Sequence, residues 1–306
     1  MIRVGVLRGG TGSHYNESLS SGAFVLANLP KDKYQAIDIF IDREGVWHIS
    51  GVPVKQDILK TKVDVVWNAL HGFYGEDGKL SQMLDQIGVP HTSGSMLSSA
   101  ILSHKKMAKE HFVNLGYKTP RAIYVEDWGG EDPYLTAQMV TGEVFKKYSP
   151  PWKVVPISRM HNTDGVICKT KDELTAYLKK MCELDIACMV EEIILGRNAS
   201  IVVMPGFRNR ADYSLLPMLH DNRNTKLQKN EQEELEKIAQ NLHKKMHLGA
   251  YSRITVCVNQ KGNIFVCGVD TLPDTSEASH LHKSLENVGS SFPEFAEHMI
   301  QQALLG

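Results

Sequence analysis

The stretch that decides the fold is the start of the chain, Ile2–Gly10, which reads IRVGVLRGG. A short apolar run that ends in two glycines is typical of a buried strand that runs into a tight turn. A second such run at residues 63–70, VDVVWNAL, is followed by His71 and Gly72. Helical patterns follow both runs, and strands that alternate with helices predict a parallel sheet covered on both faces.

Composition excludes several classes of protein. The 306 residues include 34 Lys and Arg against 35 Asp and Glu, and 42% are hydrophobic, which excludes disordered, fibrous and membrane proteins. A net charge of -1 argues against nucleic acid or an anionic membrane as partner. Five cysteines without a C-x-x-C pair predict reduced, buried thiols in a cytosolic protein. No apolar run reaches the roughly 18 residues that span a bilayer.

Further along the chain, apolar periodicity predicts a long helix over residues 228–247 and a hairpin over residues 254–269. Residues 145–157, which contain Pro150 and Pro151, are predicted as strand, turn and strand. A last amphipathic helix is predicted over residues 292–305.

Four local patterns allow both a functional and a structural interpretation. Residues 9–13, GGTGS, could approach an anion through backbone N–H groups or form only a tight turn. His71 could orient a substrate group or cap the strand end. Glu191 and Glu192 point to opposite faces of a strand, so one could read an adenine amino group or both could enter water. His243 and His247 have the spacing of a metal site, but Lys244 and Lys245 favour a surface helix.

Several segments together resemble the D-alanine–D-alanine ligases of the ATP-grasp superfamily over nearly the whole chain. The matching segments are Gly9-Gly10-Thr11, Ser18-Leu19 with Ser21-Gly22, Ala69-Leu70-His71-Gly72, Gly75-Glu76-Asp77-Gly78, Gly88-Val89-Pro90, Ser103 with Lys106, and Gly249 through Arg253-Ile254. The resemblance implies an α/β, three-domain ATP-grasp fold. Its parts are an N-terminal Rossmann-like parallel sheet (1–100), a central small α+β lid domain (101–188) and a C-terminal α+β domain (189–306).

The resemblance also implies a reaction and its cofactors. ATP, held with Mg²⁺ between the central and C-terminal domains, phosphorylates the carboxylate of one D-alanine. The amine of a second D-alanine then displaces phosphate. The implied protein is a cytoplasmic homodimer of peptidoglycan precursor synthesis that acts on a small amino acid.

Site residues follow from the resemblance position by position. Arg253 corresponds to the arginine that steadies the oxyanion, and Lys106, Glu191 and Thr163 fall at nucleotide-binding positions. The substrate-side positions are His71, Glu76, Ser279 and His14, and Asp270 falls at a metal-ligand position.

Other positions depart from the family chemically. The glutamate that pairs with the substrate ammonium falls at His14, the second ATP lysine at Val155, and the adenine-edge lysine at Glu192. Two metal ligands fall at Thr255 and Gly268, and the loop that closes over the nucleotide is mostly missing before residue 228. Mg²⁺ needs oxygen ligands and phosphoryl transfer depends on positioned charge, so these losses predict absent or strongly weakened ligase activity. The alternative is an active ligase with a rearranged site, in which Asp274 or Glu277 supplies a ligand.

Overall fold

The computed structural model describes residues 1–129, 132–158, 160, 165–220, 227–277 and 279–305. The chain forms two compact units. The larger unit contains Met1–Leu102, Asn198–Thr255 and Gly268–Gly306, and the smaller unit contains Ser103–Arg197 and Val256–Cys267. The three-domain division expected from the sequence stays a prediction. No helix in the described ranges is long and apolar enough to cross a membrane.

The helices begin and end as follows: α1 Tyr15–Asn28, α2 Leu59–Lys62, α3 Phe73–Glu76, α4 Lys79–Ile87, α5 Met96–Ser103, α6 Lys105–Asn114, α7 Pro133–Lys147, α8 Lys171–Glu183, α9 Lys229–Lys245, α10 His280–Glu286 and α11 Phe292–Leu305. The bounds of α11 agree with the prediction, because its apolar positions pack into the core of the larger unit. The predicted helix over 228–247 is confirmed as α9, which begins one residue later and ends two residues earlier.

The first sheet, in the larger unit, contains strands from both apolar runs, residues 2–10 and 63–70. Its strands are β1 Ile2–Gly9, β2 Tyr34–Ile41, β3 Trp47–Ile49, β4 Val52–Val54 and β5 Val65–Asn68, in the order β4-β3-β2-β1-β5. β1 pairs in parallel with β2 and β5, while β3 and β4 are antiparallel additions. Separate buried apolar clusters pack on its faces. The predicted parallel sheet is therefore confirmed at its centre.

The second sheet, in the smaller unit, is antiparallel. Its strands are β6 Ala122–Val125, β7 Trp152–Pro156, β8 Val166–Cys168 and β9 Cys188–Glu192, in the order β6-β9-β7-β8. Helices α7 and α8 cover one face, where Trp152 and Leu174 are fully buried. The strand predicted to begin at Phe145 is wrong, because Phe145 lies in the last turns of α7.

The third sheet contains the predicted hairpin. Its strands are β10 Gly196–Val203, β11 Met218–Leu219, β12 Ser252–Asn259 and β13 Ile264–Asp270, in the order β11-β10-β12-β13. The hairpin turn is closed because Asn259 N–H donates to Asn263 O at 3.0 Å. The hairpin is longer than predicted, because β12 begins two residues before residue 254 and β13 ends one residue after residue 269.

Candidate functional site

The glycine turn after β1 is required by packing. Gly9 and Gly10 have φ values of 91° and 101°, and a Cβ on Gly9 would lie 2.1 Å from the carbonyl oxygen of Ile41. Gly10 N–H donates to that same oxygen at 2.8 Å. The tight-turn interpretation therefore accounts for both glycines.

A serine, a histidine and an aspartate meet at the carboxyl end of the first sheet. The hydroxyl of Ser21, fully buried on α1, donates to Asp274 Oδ1 at 3.2 Å. Its oxygen lies 2.7 Å from His71 Nε2, and because the hydroxyl proton is used on Asp274, the imidazole N–H donates there. Ser18 Oγ accepts the backbone N–H of His71 at 2.8 Å. Two serines of one helix thus fix the position of His71.

Glu76 holds the loop that carries His71. Its Oε1 accepts the backbone N–H of Gly72 at 3.2 Å and lies 4.0 Å from His71 Nδ1. The side chains of Glu76 and His71 are 12% and 11% exposed. These two predicted substrate-side residues therefore lie together, in a largely buried position.

His14 is paired with a carboxylate that the sequence did not single out. Its Nδ1 contacts Glu17 Oε2 in the first turn of α1. A Cβ on Gly72 would lie 2.5 Å from His14 Cδ2, so the imidazole also packs against the loop next to His71. His14 itself offers no anion for a substrate ammonium, whereas Glu17 provides a carboxylate one helical turn away.

Ser279 acts as a helix cap. Its Oγ accepts the N–H of Leu281, at 3.1 Å, as the N-cap of α10 and donates to the carbonyl oxygen of Asp274 at 2.5 Å. Burial alone would raise the pKa of the Asp274 carboxyl, but hydrogen bonds from Ser276 and the nearby His71 lower it overall. Asp274 is therefore ionised at neutral pH and engaged within the chain.

Arg253 and Asp270 form an ion pair on the neighbouring strands β12 and β13. The guanidinium donates to Asp270 Oδ2 from two nitrogens, at 2.9 and 3.2 Å. The Asp270 carboxylate raises the pKa of Arg253, although burial opposes this, and Asp274 adds to the effect. Both residues lie where the resemblance predicts function, but each neutralises the other.

The donor set does not fit Mg²⁺. Of the three predicted metal positions only Asp270 keeps a carboxylate, and a guanidinium occupies its Oδ2. Thr255 and Gly268 provide no carboxylate. Among the described residues, no three His, Cys, Asp or Glu side chains are grouped to hold a metal ion. Asp274, one of the two suggested replacements, accepts hydrogen bonds from the Ser21 hydroxyl and the Ser276 N–H.

The nucleotide positions of the smaller unit are also paired. Lys106 Nζ donates to Glu126 Oε2 at 2.5 Å, and that hydrogen bond raises the pKa of Lys106. Glu191 accepts a hydrogen bond from Lys109 of α6, in a pair whose side chains are 14% and 9% exposed.

Glu192 faces away from this pair. Its carboxylate accepts the backbone N–H of Arg121 at 2.9 Å and the guanidinium at 2.7 Å, and these bonds lower its pKa although burial opposes them. The adjacent carboxylates of β9 thus bind cations from different elements, and neither simply enters water.

Val155 is buried where the resemblance expects a lysine. It is 3% exposed and packs with Ile157 and Met189 on the sheet face opposite α7 and α8. Lys153, two residues earlier, shares the face of Val155, and its Cε lies 3.1 Å from the position of a Cβ on Gly165. Thr163, predicted at a nucleotide-binding position, lies outside the described residues. Residues 221–226, in the shortened segment before residue 228, lie outside them as well.

The surface-helix interpretation of His243 is wrong. His243 is 5% exposed, donates from Nε2 to the carbonyl oxygen of Gly249 at 2.9 Å, and accepts the Ser252 hydroxyl at Nδ1, 2.7 Å away. Burial lowers its pKa to about 4. His243 is a neutral structural group, so the metal interpretation of this pair fails as well.

Sequence reasoning missed the partners that complete these pairs. Glu17, Lys109, Arg121 and Glu126 carried no motif of their own. Ser21 belongs to a matching motif, but its role appears only through the contact with Asp274, 253 positions along the chain. The sequence offered a signal for two positions only, because Glu17 lies near His14 and Lys153 lies near Val155.

Known proteins resemble this chain in sequence. The profile of a family described as D-ala D-ala ligase C-terminus matches residues 211–301. The D-alanine–D-alanine ligase of Bacillus anthracis is 27% identical over 317 aligned residues, which cover 99% of this chain and 97% of that protein. That of Aquifex aeolicus is 26% identical and covers 98% of this chain and 100% of its own length.

Solved structures resemble this chain in fold. The Bacillus anthracis ligase complexed with ATP superimposes with a TM-score of 0.79 at 26% identity, over 100% of this chain and 98% of that chain. The ligase of Coxiella burnetii gives a TM-score of 0.86 at 21% identity, over 99% and 95%, and supports the fold alone. Sequence and structure together show that the chain resembles the D-alanine–D-alanine ligases over its whole length and has their ATP-grasp fold.

Proposed function

We propose that this chain is a family member whose ATP-dependent ligase activity is lost or strongly weakened, and that it acts as a binding protein. The observation that carries the proposal is the pairing of Asp270 with Arg253. The retained metal-position carboxylate and the oxyanion arginine each bind the other. An ATP–Mg²⁺ complex would have to separate them before either could act on it.

The smaller unit supports the same proposal. A buried valine stands at the lysine position, and Glu191 is held by Lys109 within the fold. Phosphoryl transfer relies almost entirely on charges that are positioned around the phosphates. Removing a single such contact typically raises the activation barrier by about 3 kcal/mol, so several losses together abolish useful turnover.

The substrate side is better preserved than the nucleotide side. Ser21, His71 and Glu76 remain joined by hydrogen bonds or close contact, and Glu17 adds a carboxylate beside His14. We therefore propose a small D-alanine-like amino acid as ligand. We also propose a cytoplasmic homodimer that binds neither nucleic acid nor membrane.

Nucleotide binding is the direct test. The melting temperature is measured with and without millimolar ATP and Mg²⁺, with the Bacillus anthracis ligase as positive control. A ligand at 100 times its Kd adds about 2.7 kcal/mol to the free energy of unfolding. We expect no Mg²⁺-dependent shift for this chain. A clear shift, accompanied by phosphate release that requires D-alanine, would overturn the proposal.

The second candidate, an active ligase with a rearranged site, is favoured by one observation. Lys153 shares the sheet face of Val155 and lies against Gly165, so its ammonium could replace the absent lysine. In that case Lys153→Met and Arg253→Ala each abolish D-alanine-dependent phosphate release. Lys179→Met, which alters an exposed ion pair with Glu183, serves as control and leaves the release unchanged.

A further inference from the structure

The smaller unit contains a cavity of about 690 Å³ that no nucleotide or amino-acid position accounts for. It lies between the second half of α6, the segment 117–122, Tyr124 of β6 and Phe265 of β13. Ligand sites commonly measure roughly 300–1,000 Å³. The nucleotide positions Lys106, Glu191 and Val155 are not among its lining residues.

The walls of this cavity are fixed by hydrogen bonds. The carbonyl oxygen of Lys118 accepts the N–H of Val266 at 2.8 Å, and Lys118 Nζ donates to Asn263 Oδ1 at 2.6 Å. The segment 117–122 is joined in turn to β9, because Glu192 N–H donates to the carbonyl oxygen of Arg121 at 3.0 Å. The cavity is therefore formed without a ligand, which keeps the ordering cost of binding low.

Aromatic side chains supply the apolar surface. Tyr117, Tyr124 and Phe265 are half-buried and all line the cavity. Burial raises the pKa of Tyr124 to about 12, with contributions from the carboxylates of Glu110, Glu191 and Glu126. Burial also raises the pKa of Tyr117. Both phenols are therefore neutral at physiological pH, and their rings present faces and edges suited to a flat aromatic ligand.

Cationic side chains outnumber carboxylates among the residues that line the cavity. Lys109, Lys118 and Arg121 line it, whereas the carboxylates that pair with Lys109 and Arg121, on Glu191 and Glu192, do not. Lys118 Nζ donates to the neutral amide of Asn263, so the positive charge of Lys118 is not balanced in that contact. The lining residues carry three cationic side chains against one carboxylate, that of Glu110, which favours an anion.

We propose that this cavity binds a small aromatic anion, with its ring against Tyr117, Tyr124 and Phe265 and its anionic group at Lys118. Glu110, the carboxylate among the lining residues, is exposed on α6, where water and salt screen its repulsion of the anion. The site is independent of ATP chemistry, and its test does not depend on whether ligase activity is lost.

The probe is naphthalene-1-sulfonate, titrated into the full chain by calorimetry without nucleotide. Naphthalene-1-sulfonamide, its neutral counterpart, is titrated in parallel. We expect saturable binding of the sulfonate, at least fivefold tighter than the sulfonamide, since a charged hydrogen bond contributes about a factor of ten. We also expect hydrogen-exchange protection to increase in residues 109–124.

Variants locate the site. Lys118→Gln is expected to weaken the sulfonate about five- to tenfold without altering sulfonamide binding, and Phe265→Ala to weaken both. Lys171→Gln is the matched control, because Lys171 lies 3.5 Å from the ring centroid of Phe145 outside the cavity. Absence of saturable binding, equal affinity for both probes, or an equal effect of Lys171→Gln would each overturn the proposal. Circular dichroism verifies that each variant is folded.

Discussion

The buried pair of Lys109 and Glu191 gives the sharpest test of how the smaller unit is held together. In Lys109→Met the apolar stem is kept and the ammonium is lost, which leaves Glu191 charged at 14% exposure. Breaking a buried pair from one side costs about 3–5 kcal/mol. We expect a loss near 3 kcal/mol, the lower end, because part of the Glu191 side chain still meets water.

The double variant separates pairing from packing. When Glu191→Gln is added, the unpaired charge disappears, and the free energy of unfolding is expected to recover by about 2 kcal/mol. The measurement is urea unfolding of the wild type, both single variants and the double variant. Hydrogen exchange of β9 assigns the change to the smaller unit.

Lys179→Met is the matched control, because Lys179 and Glu183 form an exposed pair with side chains 45% and 49% exposed. Such pairs contribute less than about 1 kcal/mol. If Lys109→Met destabilises the protein no more than Lys179→Met does, or if Glu191→Gln fails to rescue it, the claim of a stabilising buried pair is refuted.

Three further outcomes can be checked by the same unfolding measurement. Gly9→Ala should cost on the order of 3 kcal/mol, because its Cβ would meet a backbone oxygen at a positive φ, whereas Gly12→Ala, with open space around it, should change little; equal effects would contradict the steric argument. The pKa of His243 is depressed to about 4, so its contribution, up to about 3 kcal/mol, is present above pH 6.5 and lost as pH falls toward 4; the stability difference between wild type and His243→Gln should shrink over that window, and a constant difference would refute it. Ser279→Ala removes the N-cap of α10 and should cost about 1 kcal/mol; no loss would rule out a capping role.

Local sequence signals predicted the strand ends of the larger unit well, because each apolar run there ends at a glycine or polar turn. They failed at α7. Asp132 accepts the N–H groups of Tyr134 and Leu135, and Pro133 occupies the first turn. This is a standard helix start, but Pro150 and Pro151 indicated strands over residues 145–157.

The candidate site shows where sequence reasoning reaches its limit. Position-by-position comparison predicts His71, Glu76, Arg253 and Asp270 as site residues, because the motifs around them keep their order. It could not show that Arg253 binds Asp270 itself or that α6 supplies a lysine to β9. Such contacts depend on which side chains two strands or a helix bring within about 3 Å, and spacing along one chain does not contain that information.

Charge pairing and nucleotide chemistry compete for the same side chains in this fold. Four predicted site residues, Lys106, Glu191, Arg253 and Asp270, have partners within the chain. The pairs are Lys106–Glu126, Lys109–Glu191 and Arg253–Asp270. A partner within the chain loses no translational or rotational freedom when the pair forms. The phosphates of ATP would therefore have to displace carboxylates that are already in place. Restoring a lysine at Val155 would bury an ammonium against Ile157 and Met189, which is strongly unfavourable without a counter-charge. Under the proposed loss of activity, recovery of ligase chemistry would require several coordinated substitutions, because these pairs are contacts within the fold.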